Sequence, residues 1–137
     1  MAEDFAGAAA RHFSDAKLLE ESLRISNADQ LFGFAAECAI KSALVGLPGC
    51  TDAGALAERY HTHIEKLWDL VQLQSIEKRC RRLVTVLRTL PQFFTDWSTH
   101  QRYEPDIAVT EDAMKRHRRA AAAVLSSVGL SGSRREA

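Results

Sequence analysis

The sequence predicts an all-α fold, an up-and-down bundle of four or five helices, and three observations support it. Apolar residues recur at steps of three and four along five stretches, the spacing of helices with one buried face. No stretch shows the apolar–polar alternation of a half-buried strand. The break between the first two stretches is short, which makes their helices antiparallel neighbours. We therefore expect one helical domain over residues 1–130 and a disordered tail over residues 131–137.

The first helix is predicted over about residues 4–23, and the second, over residues 27–45, is the one around which the chain is organised. Asn27 suits the N-cap of this central helix, with Gln30 completing a variant capping box and Asp29 favoured by the helix dipole. Glu37 and Lys41 stand at i, i+4, where they can pair. Its broad apolar face comprises Leu31, Phe32, Phe34, Ala35, Cys38, Ala39, Ser42 and Val45, with Ile40 and Leu44 on the opposite side.

Three further helices, with the segments between them, complete the predicted bundle. Glycines and a proline at residues 46–49 end the central helix, and residues 50–61 read as a loop with one helical turn near residues 53–58. Thr62 and Glu65 form a capping box that opens a third helix. A fourth helix is expected from Ser75 to Leu90, before Pro91. After an irregular segment over residues 92–109, Thr110 caps a fifth helix that ends at a C′ glycine, Gly129.

Composition excludes several classes of protein. The 137 residues are 46% apolar, enough for one core. No apolar run approaches the roughly 20 residues of a membrane span, so we expect no membrane insertion. Cys38, Cys50 and Cys80 lack metal-site spacing and suit reduced thiols in a cytoplasmic protein. His61 and His63 are two residues apart and do not share a helix face, so no metal and no cofactor are expected.

Charge is unevenly divided along a chain whose formal net charge is zero. Residues 1–76 carry eleven acidic and six basic residues, a balance of −5, and residues 77–137 carry seven and twelve, a balance of +5. Halves of opposite net charge favour either self-association, as a homodimer, or an anionic partner for the second half. The fourth helix carries a basic stripe that suits a phosphate backbone, although a solvated helix face would look the same. The stripe comprises Lys78, Arg81, Arg82 and Arg88.

An aromatic segment follows the fourth helix. Four of the ten aromatic residues fall within eleven positions, beside His100 and Arg102: they are Phe93, Phe94, Trp97 and Tyr103. In a functional interpretation, Trp97 or Tyr103 stacks a base while Arg102 holds a phosphate. In a structural interpretation, the aromatic rings close one end of the core and Arg102 pairs with Glu37 or another acid.

Residues 11–44, RHFSDAKLLEESLRISNADQLFGFAAECAIKSAL, resemble the first two helices of HEPN domain proteins. The similarity continues with Trp97, the Arg102–Tyr103 pair and the start of the fifth helix, and it covers nearly the whole chain. It rests on Asp15, Ala16, Leu19, Asn27, Ala28, Glu37, Lys41, Trp97, Arg102, Tyr103, Thr110, Glu111 and Ala113. The resemblance implies a four- or five-helix bundle, often dimeric, and in active members a metal-independent ribonuclease with an Arg-x4–6-His motif. Such members are often toxins or defence nucleases paired with a nucleotidyltransferase-type partner.

This chain departs from the motif, since no arginine precedes a histidine at that spacing. Arg59 and His63, with three residues between them, come nearest. Phe94, Thr95 and Asp96 stand at or next to the positions where the arginine would precede His100. We therefore expect a non-catalytic binding module, acting in a toxin–antitoxin or defence system, that engages a nucleotide, RNA or a partner protein. The expected contacts are Trp97, His100, Arg102, Tyr103, Lys78, Arg81, Arg82 and Arg88. The alternative is an atypical ribonuclease that uses His100 and Arg102 across a dimer, with His as general base and Arg stabilising the phosphorane.

Overall fold

The computed structural model describes residues 3–71, 79–90 and 94–130, apart from the side chain of Arg102. The fold is helical, as predicted. Five α-helices lie within the described ranges, and a two-stranded hairpin joins the second to the third. The helices are α1 (Phe5–Glu21), α2 (Ile25–Leu44), α3 (Ile64–Leu70), α4 (Arg81–Thr89) and α5 (Glu111–Ser127), and the strands are β1 (Thr51–Asp52) and β2 (Ala55–Leu56).

Helix α2 is the centre of the molecule. It packs against α1, α3 and α5 and against the 3-10 helix Thr99–Tyr103, and α5 also packs on α4. Residues 22–24 reverse the chain between α1 and α2, and Leu23 takes a left-handed conformation with φ of 61° in this turn. The short break therefore produces the antiparallel pair that the sequence predicts.

The start of α2 differs from the prediction. The helix begins at Ile25, two residues before Asn27, and its N-cap position is Arg24, which makes no side-chain capping bond. Gln30 does not close a capping box, because its Nε2 donates to the Ser98 carbonyl at 3.1 Å. Asp29 is buried and not a surface charge at the helix dipole. The side chains that local capping rules assign to the helix end thus form tertiary contacts instead.

The second apolar side of α2 is not a free surface. Ile40 and Leu44 are fully buried within one chain, whereas Val45, predicted in the core, is 38% exposed. Neighbouring helices enclose α2 on more than one side, so residues on both of its faces enter the core. The homodimer expected from the sequence stays a prediction, but these two residues no longer support it.

The segment between α2 and α3, predicted as a loop with one helical turn near residues 53–58, forms a hairpin that is followed by a 3-10 turn at Glu58–Tyr60. Thr51 pairs with Leu56 and Asp52 with Ala55. The two residues at the tip, Ala53 and Gly54, have φ of 52° and 83°, as a tight type I′ turn requires. Each strand has only two residues, and Thr51 is the single β-branched or aromatic residue among the four, so no alternation marks the strands in the sequence.

The later helices lie close to where the sequence places them, with one cap and one helix start corrected. Helix α3 begins at Ile64 with His63 at the N-cap position and no side-chain capping bond, so the predicted Thr62 box is absent. In α5 the Thr110 hydroxyl accepts from the Ala113 N–H at 3.1 Å, and Gly129 follows the helix at φ of 81°, both as predicted. Helix α4 begins at Arg81 with Cys80 at the N-cap position, so residues 79 and 80, which the predicted helix includes, are not helical. Residues 75–78 of that prediction and the tail after residue 130 lie outside the described residues.

Among the residues described, no helix is both long enough and apolar enough to span a bilayer.

Candidate functional site

Trp97 lies inside the core and not on a binding surface. Its side chain is nearly inaccessible, its ring meets the Phe34 ring edge-on with centroids 5.4 Å apart, and its Nε1–H donates to the Asp29 carbonyl at 2.9 Å. An indole enclosed in this way has no free face for a base. The prediction that Trp97 stacks a base is therefore corrected, and the structural interpretation describes this residue.

Two further residues fix the aromatic segment to the core. Phe94 is buried and stacks on the imidazole of His117, with centroids 5.1 Å apart and planes 17° from parallel. Gln101 is buried and its Nε2 donates to Oδ2 of Asp29 at 2.6 Å, while its Oε1 accepts from the Ser98 N–H. The segment is thus an inserted part of the fold, held by aromatic packing and by a buried carboxylate.

The predicted contacts His100 and Tyr103 remain on the surface of this segment. His100 is exposed, and Tyr103 is 76% exposed. The backbone of Arg102 belongs to the 3-10 helix between them, but its side chain, like Phe93 and Lys78, lies outside the described residues. The carboxylate suggested as a partner for Arg102, Glu37, is engaged by Lys41 and His63.

A buried imidazole joins α5 to both α2 and the aromatic segment. His117 is fully buried; its Nδ1 lies 2.5 Å from Oδ1 of Asp29 and its Nε2 2.7 Å from Oδ1 of Asp96. Arg116 binds the other oxygen of Asp96 at 2.7 Å, at the surface. Since ionised carboxylates only accept hydrogen bonds, both nitrogens must donate, and His117 is held as an imidazolium.

The electrostatics of this cluster favour its charged form. Burial alone would lower the pKa of His117, but the hydrogen bonds and charges of Asp29 and Asp96 outweigh it and raise the pKa above 6.5. Burial likewise opposes ionisation of Asp96, yet Arg116 and His117 bring the pKa of that carboxyl below its usual value. An imidazolium whose nitrogens both donate to carboxylates has no free nitrogen to accept a proton, so the cluster suits structure and not base catalysis.

This cluster makes stability depend on pH. Because the pKa of His117 is raised in the folded state, its contribution is complete below about pH 6.5 and is lost as pH rises through the folded pKa. We expect the free energy of unfolding to fall as the pH rises from about 6.5 through the folded pKa of His117, by up to about 1.4 kcal/mol per pH unit for one proton. Burial lowers the pKa of His12, whose contribution has the opposite sign and is lost as pH falls. Urea unfolding at several pH values measures the slope.

The Asp96→Asn variant is the control for that slope. It removes one carboxylate facing His117 and leaves the buried Asp29 in place. The fall in stability with rising pH should therefore end at a lower pH, and be smaller in total, than in the natural sequence. An unchanged profile would show that Asp96 does not hold the proton on His117.

Sequence reasoning missed this cluster because each residue has a simpler local explanation. Asp29 suits the first turn of a helix, and His117 occupies an apolar position in the periodicity of α5. Their pairing spans 88 positions of the chain and depends on how α5 crosses α2. A histidine on an otherwise apolar helix face was the only local signal.

Helix α4 presents its arginines to solvent. Arg81, Arg82 and Arg88 are exposed, while the opposite face buries Leu83, Val84 and Leu87. At 100° per residue the three arginines fall within an arc of about 120°, together with Thr85 and Thr89. Both threonine hydroxyls donate to the carbonyl four residues earlier, so the arginines supply the charged donors of this arc.

A second polar cluster lies between α2 and the start of α3, and the sequence predicted its Glu37–Lys41 pair but not its third member, His63. The Glu37–Lys41 pair forms as expected, with Oε2 3.0 Å from Nζ, but the pair is buried. His63 completes it, with Nδ1 3.0 Å from the other oxygen of Glu37. Lys41 and His63 both line an open cavity of about 400 Å³.

Comparison with known proteins adds no family to this geometry: no family model matches the chain, and neither a curated protein nor a solved structure is similar to it. The HEPN resemblance stays a prediction. Across residues 3–71, 79–90 and 94–130, no three or more His, Cys, Asp or Glu side chains are grouped so as to hold a metal ion. Function must therefore be argued from the surfaces themselves.

Proposed function

We propose that the protein is a non-catalytic, HEPN-type binding module for RNA, and that the arginine arc of α4 is the centre of its contact surface. The observation that carries the proposal is the division of α4 into a buried apolar face and an exposed face with Arg81, Arg82 and Arg88. The apolar face fixes the orientation of the helix, so the arginines point outward together. Guanidinium groups bind phosphate oxygens through two parallel hydrogen bonds.

Charge beyond α4 supports the same ligand. The C-terminal part of the chain, residues 77–137, carries the excess of +5, which raises the local concentration of a polyanion. Tyr103 adds an exposed ring of the kind that stacks bases in single-stranded RNA. Burial of Trp97 removes it from the predicted contacts, so binding should leave its fluorescence unquenched.

The expected result is salt-dependent RNA binding that weakens when the arc loses charge. Fluorescence anisotropy of a labelled single-stranded RNA, measured over a salt series, gives the slope of log K against log [salt]. The double variant Arg81→Gln/Arg82→Gln should reduce that slope by about 1.4, since each phosphate contact on a single strand contributes about 0.7. The matched control is Arg11→Gln/Arg24→Gln, which removes two exposed arginines from the acidic part of the chain. Equal effects of the two double variants would contradict the proposal.

The same samples test the catalytic alternative. RNA recovered after incubation without metal should keep its length on a denaturing gel. Cleavage that disappears in His100→Ala would instead identify a ribonuclease. His100 is exposed and therefore able to reach a substrate, which is the observation that keeps this second candidate.

A further inference from the structure

An open cavity of about 400 Å³ lies beside the N-terminus of α1, the second half of α2 and the segment before α3. Three kinds of hydrogen-bond donor border it: an ammonium, two imidazoles and a hydroxyl. The aromatic ring of Phe5 forms an apolar wall, 5.9 Å from Nζ of Lys41. The lining residues are Glu3, Phe5, Lys41, His61, Thr62 and His63.

Buried Glu37 orients two of these donors, Lys41 and His63. Each of its carboxylate oxygens is used, one by Lys41 and one by His63, both at 3.0 Å. Binding through Nδ1 leaves Nε2 of His63 as the ring nitrogen available to a ligand, and the side chain of His63 is half exposed. The ammonium of Lys41 has three protons and gives one to Glu37, so it keeps donor capacity. His61 donates Nε2–H to the Leu56 carbonyl at 3.1 Å, which leaves its Nδ1.

Protonation of the two imidazoles decides the charge of the cavity. Among the lining residues and their partner Glu37, Lys41 contributes +1 and Glu37 and Glu3 contribute −1 each, so this group sums to −1 with neutral histidines and +1 with both protonated. Arg11 adds a positive charge beyond this group, while burial, then the charge of Glu37, raises the pKa of the Cys38 thiol to about 11, and burial lowers the pKa of His12. The charged and titratable groups facing the cluster are Glu3, Arg11 and His12 from the N-terminal segment and α1, Glu37, Cys38 and Lys41 from α2, and His61 and His63.

We propose that this cavity binds a small tetrahedral oxyanion, either inorganic phosphate or the phosphate group of a small organic molecule, when His61 and His63 are protonated. Lys41, His63 and Thr62 then donate to the oxyanion, while Glu37 holds the first two in position. The site is separate from the arginine arc of α4 and does not depend on the binding of RNA.

Calorimetric titration of the full chain with sodium sulfate tests the charge dependence, because sulfate keeps its charge across the range in which histidine titrates. Saturable binding is expected at about pH 6 and an affinity at least about tenfold lower at about pH 8.5. His63→Gln retains an amide donor for Glu37 but cannot carry charge, and should weaken binding at pH 6 by about tenfold or more. Glu3→Gln removes the repelling carboxylate and should strengthen binding, which a merely damaged structure would not do.

Lys115→Met is a control variant, because it breaks an i, i+4 ion pair, between Lys115 and Glu111 at 3.0 Å, that lies outside the lining of the cavity. That variant and Arg81→Gln/Arg82→Gln should bind sulfate as the natural sequence does, which separates this site from the proposed RNA surface. Absence of saturable binding at pH 6, equal binding at pH 8.5, or unchanged binding in His63→Gln would overturn the proposal. Phenyl phosphate that binds more tightly than inorganic phosphate, with the gain lost in Phe5→Ala, would identify an organic phosphate; equal affinities would identify the free anion.

Discussion

Replacing His117 with alanine is expected to lower the free energy of unfolding by about 3–5 kcal/mol, the usual cost of removing one partner of a buried ion pair. The imidazole is fully buried and binds Asp29, which has no access to water. Among the described residues, alanine leaves the Asp29 carboxylate with the Gln101 amide as its one remaining donor. It also removes the ring on which Phe94 stacks, which opens a cavity at the end of the core.

Chemical unfolding in urea at about pH 6 measures this loss, since His117 contributes fully below its ordinary pKa. Lys115→Ala on the same helix is the control: its ion pair with Glu111 is exposed, and such pairs contribute at most about 1 kcal/mol. A loss below about 1 kcal/mol for His117→Ala would mean that Asp29 is solvated or neutral in the folded protein, against the geometry described.

Helix positions were predictable because they depend on repeats within about ten residues. Thr110 caps α5 as a local rule requires, since its hydroxyl accepts from the Ala113 N–H. Gln30 has the same local preference, but Ser98, which lies 68 positions later, offers it a carbonyl. The predicted N-terminal boundary of α2 was therefore wrong because of a tertiary contact, which a local stretch of sequence does not reveal.

The functional residues divide in the same way. Exposure of the α4 arginines follows from the amphipathic pattern of one helix, so the sequence was sufficient to find them. The role of Trp97 depends on which partner its ring contacts. In sequence, a tryptophan in an irregular segment looks the same whether it binds a base or fills a core. The cluster of Glu37, Lys41 and His63 forms because α3 begins beside the second half of α2. Glu37 and His63 are 26 positions apart in the chain, so no local pattern predicts their contact.

Replacing Gly33 with alanine is the second change with a large expected effect, because this position of α2 lies against the indole of Trp97. A Cβ built on Gly33 would lie 2.1 Å from Cε2 and 2.2 Å from Nε1 of that ring. Alanine gains up to about 1 kcal/mol in helix propensity over glycine, but forcing a methyl group into a packed site costs about 1–3 kcal/mol, and here the overlap is with a rigid ring. We expect a net loss of about 2 kcal/mol, measured by urea unfolding.

Gly49→Ala is the matched control for this substitution, since nothing lies within 4 Å of a Cβ at that position, and its effect should stay within about 0.5 kcal/mol. A double-mutant cycle then locates the cause of the loss. Trp97→Phe alone destabilises by removing the hydrogen bond to the Asp29 carbonyl, but in the Gly33→Ala background the smaller ring also relieves the overlap. The double variant should therefore be more stable than the sum of the two losses by at least about 1 kcal/mol, as contacting residues are non-additive. Strict additivity would show that the indole is not seated on Gly33, and with it that the aromatic segment is not anchored to α2 in the manner described.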